Sequence, residues 1–304
     1  MIVYAISSAQ MSEIVREIAS QPECWRQAAS TAGTVETLLP AKGERVAVVG
    51  CGTSLYIAQA FAALRESTGN GETDAFPASE YPIERPYDLV LAISRSGTTT
   101  EVARLLRQLA DAGSSPTAAI SAVAGSPVMR AAGSAVILEF ADERSIVQTR
   151  FATTALALLR VHLGGEIENP CSEAEVALTQ DLPIEPSSFD HFVFLGHGWT
   201  VGLANEAALK FREAAGASAE SYPALEYRHG PISLAGPKSV VWALGKVEPE
   251  LLDDVAKTGA MVVADGLDPM AELVLIQRTA VTLAEWRGLD PDHPRHLTRS
   301  VVLS

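Results

Sequence analysis

The sequence predicts an α/β protein built from two successive parallel sheets, each covered by helices on both faces. Three observations carry that expectation. Short, continuously apolar runs of strand length alternate with longer helical segments, the pattern of parallel strands buried on both sides. One signature, a strand ending in Gly-x-Gly and leading into a helix, occurs twice, at Val48-Val49-Gly50-Cys51-Gly52 and at Phe194-Leu195-Gly196-His197-Gly198, with Gly196 placed 146 residues after Gly50. The chain has 304 residues, which suits two units of about 150 each.

The elements follow in order. Residues 1–44 read as helical: Met11, Ile14, Val15 and Ile18 share one helical face, and Pro22 opens a second segment. A turn at 40–43 leads to the first unit, 45–165. Its strands are expected at 45–49, 88–93, 117–120 and 135–138, and its helices at 54–67, 98–112 and 149–163. Residues 164–188, rich in Gly, Pro, Ser and acidic side chains, read as a connector. The second unit, 189–288, restarts with a strand at 191–195 and a helix at 201–215. Strands at 239–244 and 261–264 and a helix at 276–287 complete it. Residues 289–304 are polar and proline-rich and read as a tail.

Composition narrows the function classes. The net charge is −14, from 23 Lys and Arg against 37 Asp and Glu, so clustered cations for a nucleic-acid backbone are not expected. A small phosphorylated substrate remains compatible, because a few oriented N–H groups and one or two cations suffice. Cys24, Cys51 and Cys171 are scattered without a Cys-x-x-Cys spacing, so neither a disulfide framework nor a zinc site is expected. No other ligand cluster stands out, and no metal or cofactor is expected. The start, Met1 to Ile6, is too short and too soon polar for a signal peptide, and no apolar run reaches membrane-span length. The expected compartment is the cytoplasm.

Ligands of open α/β sheets bind beyond the carboxyl ends of the strands, and three segments are placed there. Gly50-Cys51-Gly52-Thr53-Ser54 permits a tight turn before a helix N-terminus. An anion site and a plain Ser-capped turn are both open readings of it. Ser94-Arg95-Ser96-Gly97-Thr98-Thr99-Thr100 crowds hydroxyls and a cation at a helix start. That exceeds what capping requires and suits a phosphate dianion. Lys210 and Glu213 stand three apart on one helix face, and Glu226-Tyr227-Arg228-His229-Gly230-Pro231 follows. By spacing alone, a surface ion pair and a loop histidine explain these as well as chemistry does.

Taken together, these segments resemble the isomerase half of glutamine–fructose-6-phosphate transaminase and its stand-alone relatives, the amino-sugar-phosphate deaminases and fructosamine-phosphate deglycases. The resemblance runs through Glu17-Ile18-Ala19-Ser20-Gln21-Pro22-Glu23, Cys51 to Ser54, Ser94 to Thr99, and Glu143 to Arg150. It continues through Gly196-x-Gly198, Glu206, Ala208-Leu209-Lys210-x-x-Glu213, His229-Gly230-Pro231 and Asp292-x-Pro294-Arg295-x-Leu297. It implies two tandem sugar-isomerase (SIS) domains, each a flavodoxin-like three-layer α/β/α sandwich. It implies a phosphate cradle at Ser94, Ser96 and Thr99, with Ser54 reaching the sugar. Glu213 becomes the proton-shuttling carboxylate and Lys210 an active-site lysine. His229 becomes the ring-opening histidine, shared between the subunits of a homodimer. The chemistry is consistent with these types: moving a carbonyl between C1 and C2 needs one partly desolvated carboxylate to remove and return a proton.

Departures from the family pattern shape the expectation. The transaminase carries a glutamine-hydrolysing domain that begins with a cysteine nucleophile. This sequence begins Met1-Ile2, so no glutamine amidotransferase activity is expected. Arg299 stands where the family has a lysine, and an arginine cannot form an imine. Arg150 likewise replaces a lysine, Gln148 replaces a small residue, and Arg95 lies inside the phosphate motif. Gln148, Arg95 and Arg299 are therefore expected to bind substrate, and extra arginines would suit an added carboxylate. The leading expectation is an isomerase or deaminase acting on an amino-sugar 6-phosphate. A fructosamine-6-phosphate deglycase is the second. A non-catalytic sugar-phosphate sensor is the alternative of another class, although the first 44 residues do not resemble the helix-turn-helix domain such regulators carry.

Overall fold

The computed structural model describes residues 12–303. Met11 of the expected first helical face lies outside them. Two short helices, α1 (Glu13–Ala19) and α2 (Gln21–Val35), precede the first sheet. Its elements are β1 (Val46–Gly50), α3 (Thr53–Ser67), β2 (Thr73–Pro77), β3 (Leu89–Ile93) and α4 (Thr100–Ala112), followed by β4 (Thr117–Ser121), α5 (Pro127–Ala131), β5 (Ser134–Ile137) and α6 (Arg150–His162). After α7 (Glu168–Thr179) come β6 (His191–Gly196), α8 (Thr200–Ala215), β7 (Ser218–Pro223), β8 (Ser239–Leu244), α9 (Pro249–Lys257), β9 (Met261–Val263) and α10 (Pro269–Trp286).

Both sheets are wholly parallel, ordered β2-β1-β3-β4-β5 and β7-β6-β8-β9. The second order repeats the first four strands of the first when β6 is set on β1. The repeat reaches the turns. A Cβ at Gly50 would fall within 2.8 Å of the backbone of Ser54 and Leu55, and one at Gly196 within 2.6 Å of Thr200 and Val201. Glycine is needed at both because the following helix folds back onto the strand end.

Of the four edge strands, β5 and β9 were expected from the sequence and β2 and β7 were not. β2 (Thr-Asp-Ala-Phe-Pro) and β7 (Ser-Ala-Glu-Ser-Tyr-Pro) are half polar and end in proline, which a sheet tolerates only at its margin. They carry the clearest repeat in the chain: Pro77-Ala78-Ser79-Glu80-Tyr81 and Pro223-Ala224-Leu225-Glu226-Tyr227, again 146 residues apart. Helices α7 and α9 were also missed, and α10 begins seven residues earlier than expected. Alternate residues of the two first strands, Ala47 and Val49 in β1 and Val193 and Leu195 in β6, belong to two separate clusters. Val46 and Val48 of β1, Phe192 and Phe194 of β6, Ile57 and Phe61 of α3 and the buried apolar side chains of α6, α8 and α10 belong to one continuous core that spans both sheets. Within it, Trp25 Nε1 donates to Thr153 Oγ1 at 2.9 Å, Thr153 Oγ1 donates to Gln21 Oε1 at 2.7 Å, and Gln21 Nε2 donates to Gln277 Oε1 at 2.7 Å. This chain ties α2 to α6 and α10. No helix among the described residues is long and apolar enough to cross a membrane.

Candidate active site

In the first sheet the chain runs from β1 outward to β2 on one side and from β3 outward to β4 on the other, so the crevice beyond the β1 and β3 ends is the natural ligand position. Gly50-Cys51-Gly52 leaves β1 there, and Ser94 to Thr99 leaves β3. Gly97 adopts φ 62, and a Cβ on it would lie 1.9 Å from Ser126 Oγ and 3.0 Å from Ser121 Oγ. The turn therefore packs its backbone against the loop after β4. Ser96 Oγ accepts from Thr98 N at 3.2 Å and from Thr98 Oγ1 at 3.0 Å. Ser94 Oγ and Ser126 Oγ are buried with no hydrogen-bond partner among the described residues. Buried hydroxyls without partners are uncommon, and these two flank the β3 turn, Ser94 at its start and Ser126 against Gly97. Ser126 was not anticipated; its helix-capping position gives no sequence signal beyond Ser-Pro.

A cleft of about 160 Å³ opens beside this turn. Gly52 and Thr53, Thr99, Gln148 and Glu213 face it, and residues 297–301 of the tail close it. Arg95 and Arg299 also touch it. Ser54, Ser94 and Ser96 are buried but are not among its walls. His229 is exposed beyond β7 and lies outside it.

Glu213 reaches the cleft from α8, with its side chain 21% exposed, and accepts a hydrogen bond from Lys210 Nζ at 2.6 Å. Lys210 is fully enclosed. Its Nζ also donates to Thr53 Oγ1 at 3.0 Å and lies 3.3 Å from Glu206 Oε1. Burial pushes the Glu206 carboxyl up to about 7, and the Lys210 charge opposes that rise. Burial also draws the Lys210 ammonium down, but Glu206 and Glu213 together outweigh it, so its net shift is upward. Glu206 is the buried support of this set: it touches the cation that holds the exposed carboxylate.

The loop carrying Gln148 is built on two buried carboxylates. Glu143 accepts from Thr149 N at 2.6 Å, Thr149 Oγ1 at 3.0 Å and Arg150 N at 2.8 Å, which caps α6. Burial raises its pKa, and Arg95, 3.6 Å away, opposes the rise. Glu17 of α1 accepts from Arg144 N at 2.6 Å and from the Ser145 hydroxyl. The three unusual arginines brace this loop. Arg95 donates to the carbonyls of Ser145, Ile146 and Arg299 at 2.9–3.2 Å. Arg150 donates to Asp142 O and to Ser20 Oγ, and Arg299 pairs with the Asp142 carboxylate. Their guanidiniums thus have protein partners, where the sequence suggested a substrate carboxylate. The tail is held further by Asp292, whose carboxylate accepts from Glu13 N and Ile14 N, and by Thr100 N donating to Val301 O at 3.2 Å.

Residues 38–162, which include the whole first sheet, match the SIS domain family model. Over 86% of its length the chain is 28% identical to the isomerizing glutamine–fructose-6-phosphate aminotransferases of Sulfurisphaera tokodaii and Haemophilus influenzae. It spans about half the length of these relatives (50% and 52%). Among solved structures, the glucosamine-6-phosphate deaminase of Thermotoga maritima is 27% identical, with a TM-score of 0.78 over 96% of this chain and 100% of that one. The tagatose-6-phosphate ketose/aldose isomerase of Escherichia coli, 20% identical, shares the fold with a TM-score of 0.77 over 95% and 99% of the two chains. Residues 38–162 thus match the SIS domain, in a chain similar over most of its length to the isomerizing aminotransferases.

Proposed function

We propose that the chain is a sugar-phosphate isomerase or deaminase acting on an amino-sugar 6-phosphate, with its second sheet a second copy of the SIS unit. The observation that carries the reading is Glu213, a partly exposed carboxylate held by a buried lysine and facing the same cleft as Thr99 and Gln148. The phosphate is received by Ser94, Ser96 and Thr99 at the β3 turn, and Ser54 serves the sugar. Phosphate binding anchors one end of the substrate, so its binding energy orients the carbons at the other end. Glu213 removes the proton from C2 of the open-chain amino aldose and returns it to C1. The imine left at C2 is hydrolysed by water, which gives a ketose 6-phosphate and ammonia. Lys210 holds Glu213 in place.

Ring opening needs a group that exchanges the ring-hydroxyl proton, and a histidine suits the task near neutral pH. His229 is exposed at the end of the turn after β7, so it serves the cleft of a second copy in a homodimer. The test is ammonia release from a panel of phosphorylated amino sugars. Glu213→Gln is expected to lower kcat at least about 100-fold with little change in KM. Undiminished turnover by Glu213→Gln would remove the proton-shuttle reading, and tight binding without turnover by the native chain would leave a sensor.

A further inference from the structure

Three residues lining the small cleft carry a buried polar side-chain atom with no hydrogen-bond partner among the described residues: Arg95 Nε, Gln148 Oε1 and Ser300 Oγ. They differ in what they can bind. Arg95 Nε only donates, and a serine hydroxyl turns to donate or to accept. Gln148 Oε1 only accepts. A buried acceptor left unpaired is costly, so this oxygen calls for a donor from a bound molecule. The backbone on both sides of Gln148 is held. Ser145 Oγ donates to Val147 O at 2.8 Å, and Arg95 donates to Ser145 O and Ile146 O at 3.0 and 3.2 Å. On the other side Thr149 N donates to Glu143 at 2.6 Å. The amide is thus presented to the cleft by a braced loop.

We infer that Gln148 is the specificity-determining residue for the amine: its Oε1 accepts a hydrogen bond from the ammonium at C2 of the substrate. The inference rests on the proposed role of Glu213 at the C2 proton and names the group that tells an amino sugar from its hydroxyl counterpart. The cleft, at about 160 Å³, is small, and Gln148 and Glu213 both line it. A substituent at C2 therefore meets two acceptors, the amide oxygen and the carboxylate. An ammonium has three N–H donors and satisfies both at once. A hydroxyl has one donor and leaves one acceptor unpaired, which a site built on hydrogen bonds rejects.

The charges around the cleft admit a cation at this point. Lys210 stands between two carboxylates, at 3.3 Å from Glu206 and 2.6 Å from Glu213. The two arginines of the cleft are each matched by a carboxylate, Arg95 by Glu143 at 3.6 Å and Arg299 by Asp142. No unmatched positive charge among the cleft's described residues opposes an ammonium. An amide oxygen also suits a group that must be released, since it holds the ammonium by a hydrogen bond without adding a second full charge beside Glu213.

The experiment measures, by titration calorimetry on the full chain, the Kd of two open-chain analogues that cannot react: 2-amino-2-deoxyglucitol 6-phosphate and glucitol 6-phosphate. The native chain is expected to bind the amine at least about ten-fold more tightly. In Gln148→Met that preference is expected to fall toward one, with the Kd of glucitol 6-phosphate changed less than about three-fold, which also shows that the variant is folded. Gln148→Glu keeps an acceptor and is expected to retain the preference or increase it. Equal Kd values in the native chain overturn the assignment without any variant. A preference that Gln148→Met leaves intact overturns it too, as does an equal loss for both analogues or a preference abolished by Gln148→Glu. Failure of the underlying reading looks different: neither analogue binds the native chain, or Glu213→Gln still releases ammonia from the amino-sugar phosphate. Binding of both analogues without preference, with ammonia release lost in Glu213→Gln, removes only the role given to Gln148.

Discussion

Lys210 Nζ and Thr53 Oγ1 lie 3.0 Å apart, a hydrogen bond that joins the helix after the second sheet's first strand to the turn after the first sheet's first strand. The same ammonium stands between buried Glu206 and partly exposed Glu213. One cation therefore fixes the orientation of the carboxylate that faces the cleft and its distance from the β1 turn.

Lys210→Met is expected to separate activity from stability. Removing a buried charge partner usually costs about 3–5 kcal/mol because the remaining ion is stranded. Here Glu206, with its carboxyl already pushed up to about 7, can take a proton instead. The expected loss is about 1–3 kcal/mol, close to that of a missing charged hydrogen bond. Turnover is expected to drop about 100-fold, since Glu213 loses its 2.6 Å partner. Urea midpoints and kcat measured on one preparation check both, and unchanged turnover would make the lysine a scaffold element only.

Gly97→Ala probes the anion cradle. At φ 62 an alanine is strained, and its Cβ would meet Ser126 Oγ at 1.9 Å and Ser126 Cβ at 2.5 Å. Rotation of the Ser126 side chain relieves the hydroxyl contact, but the Cβ contact is relieved only by moving the loop after β4 or the turn itself. The expected cost is about 1–3 kcal/mol, together with a KM for the phosphorylated substrate raised about ten-fold or more. An unphosphorylated analogue separates the two effects: its weak turnover is expected to fall less than that of the phosphate ester.

The central strands β1, β3, β4, β6 and β8 were legible because each is an unbroken apolar run, and the Gly-x-Gly turns marked where ligands meet the sheet. The edge strands β5 and β9 were legible too, but β2 and β7 were not, since they carry Asp74, Glu220 and terminal prolines. Their shared Pro-Ala-x-Glu-Tyr segment was present in the sequence and would have placed both. Among the site residues, the sequence brought Thr99, Gln148 and Glu213 to one cleft. It did not show that Arg95, Arg150 and Arg299 are turned to backbone carbonyls, Ser20 and Asp142, because whether a guanidinium meets ligand or protein depends on loops folded from distant segments. Glu17 and Gln21 matched a motif without a reason; the structure supplies one, since Glu17 holds the loop at Arg144 and Ser145 and Gln21 joins α2 to α6 and α10.

Asp292→Ala tests how the tail is attached. Its carboxylate accepts from Glu13 N at 2.8 Å and Ile14 N at 2.7 Å, capping α1 from 279 residues away, and its carbonyl accepts from Ile146 N at 3.1 Å. Loss of the cap is expected to cost about 1–2 kcal/mol. It also frees the tail that closes the cleft, so limited proteolysis should cut within residues 293–303 several-fold faster than in the native chain. Asp292→Asn keeps an acceptor and is expected to retain most of the protection. Equal cleavage rates in all three forms would show that Arg95, Arg299 and Thr100 hold the tail unaided.

Glu272→Gln is expected to flatten the pH dependence of stability. Glu272 is buried in α10, accepts from Trp242 Nε1, and burial pushes its carboxyl from the ordinary 4.5 up to about 7. Between those values the native state holds a proton that the unfolded state has released. Stability from this group is therefore fully present below pH 4.5, falls as pH rises through the window, and is lost above about 7. A shift of this size corresponds to about 3 kcal/mol across the window. Glutamine keeps the oxygen acceptor for Trp242 and cannot ionise, so the variant should gain about 2–3 kcal/mol relative to the native chain between pH 5 and pH 8. Guanidinium midpoints at pH 5, 6, 7 and 8 for both proteins give that difference directly. A difference that stays constant over the four pH values would mean that Glu272 carries the same protonation in the folded and unfolded chain, and the rise assigned to its burial would then be wrong.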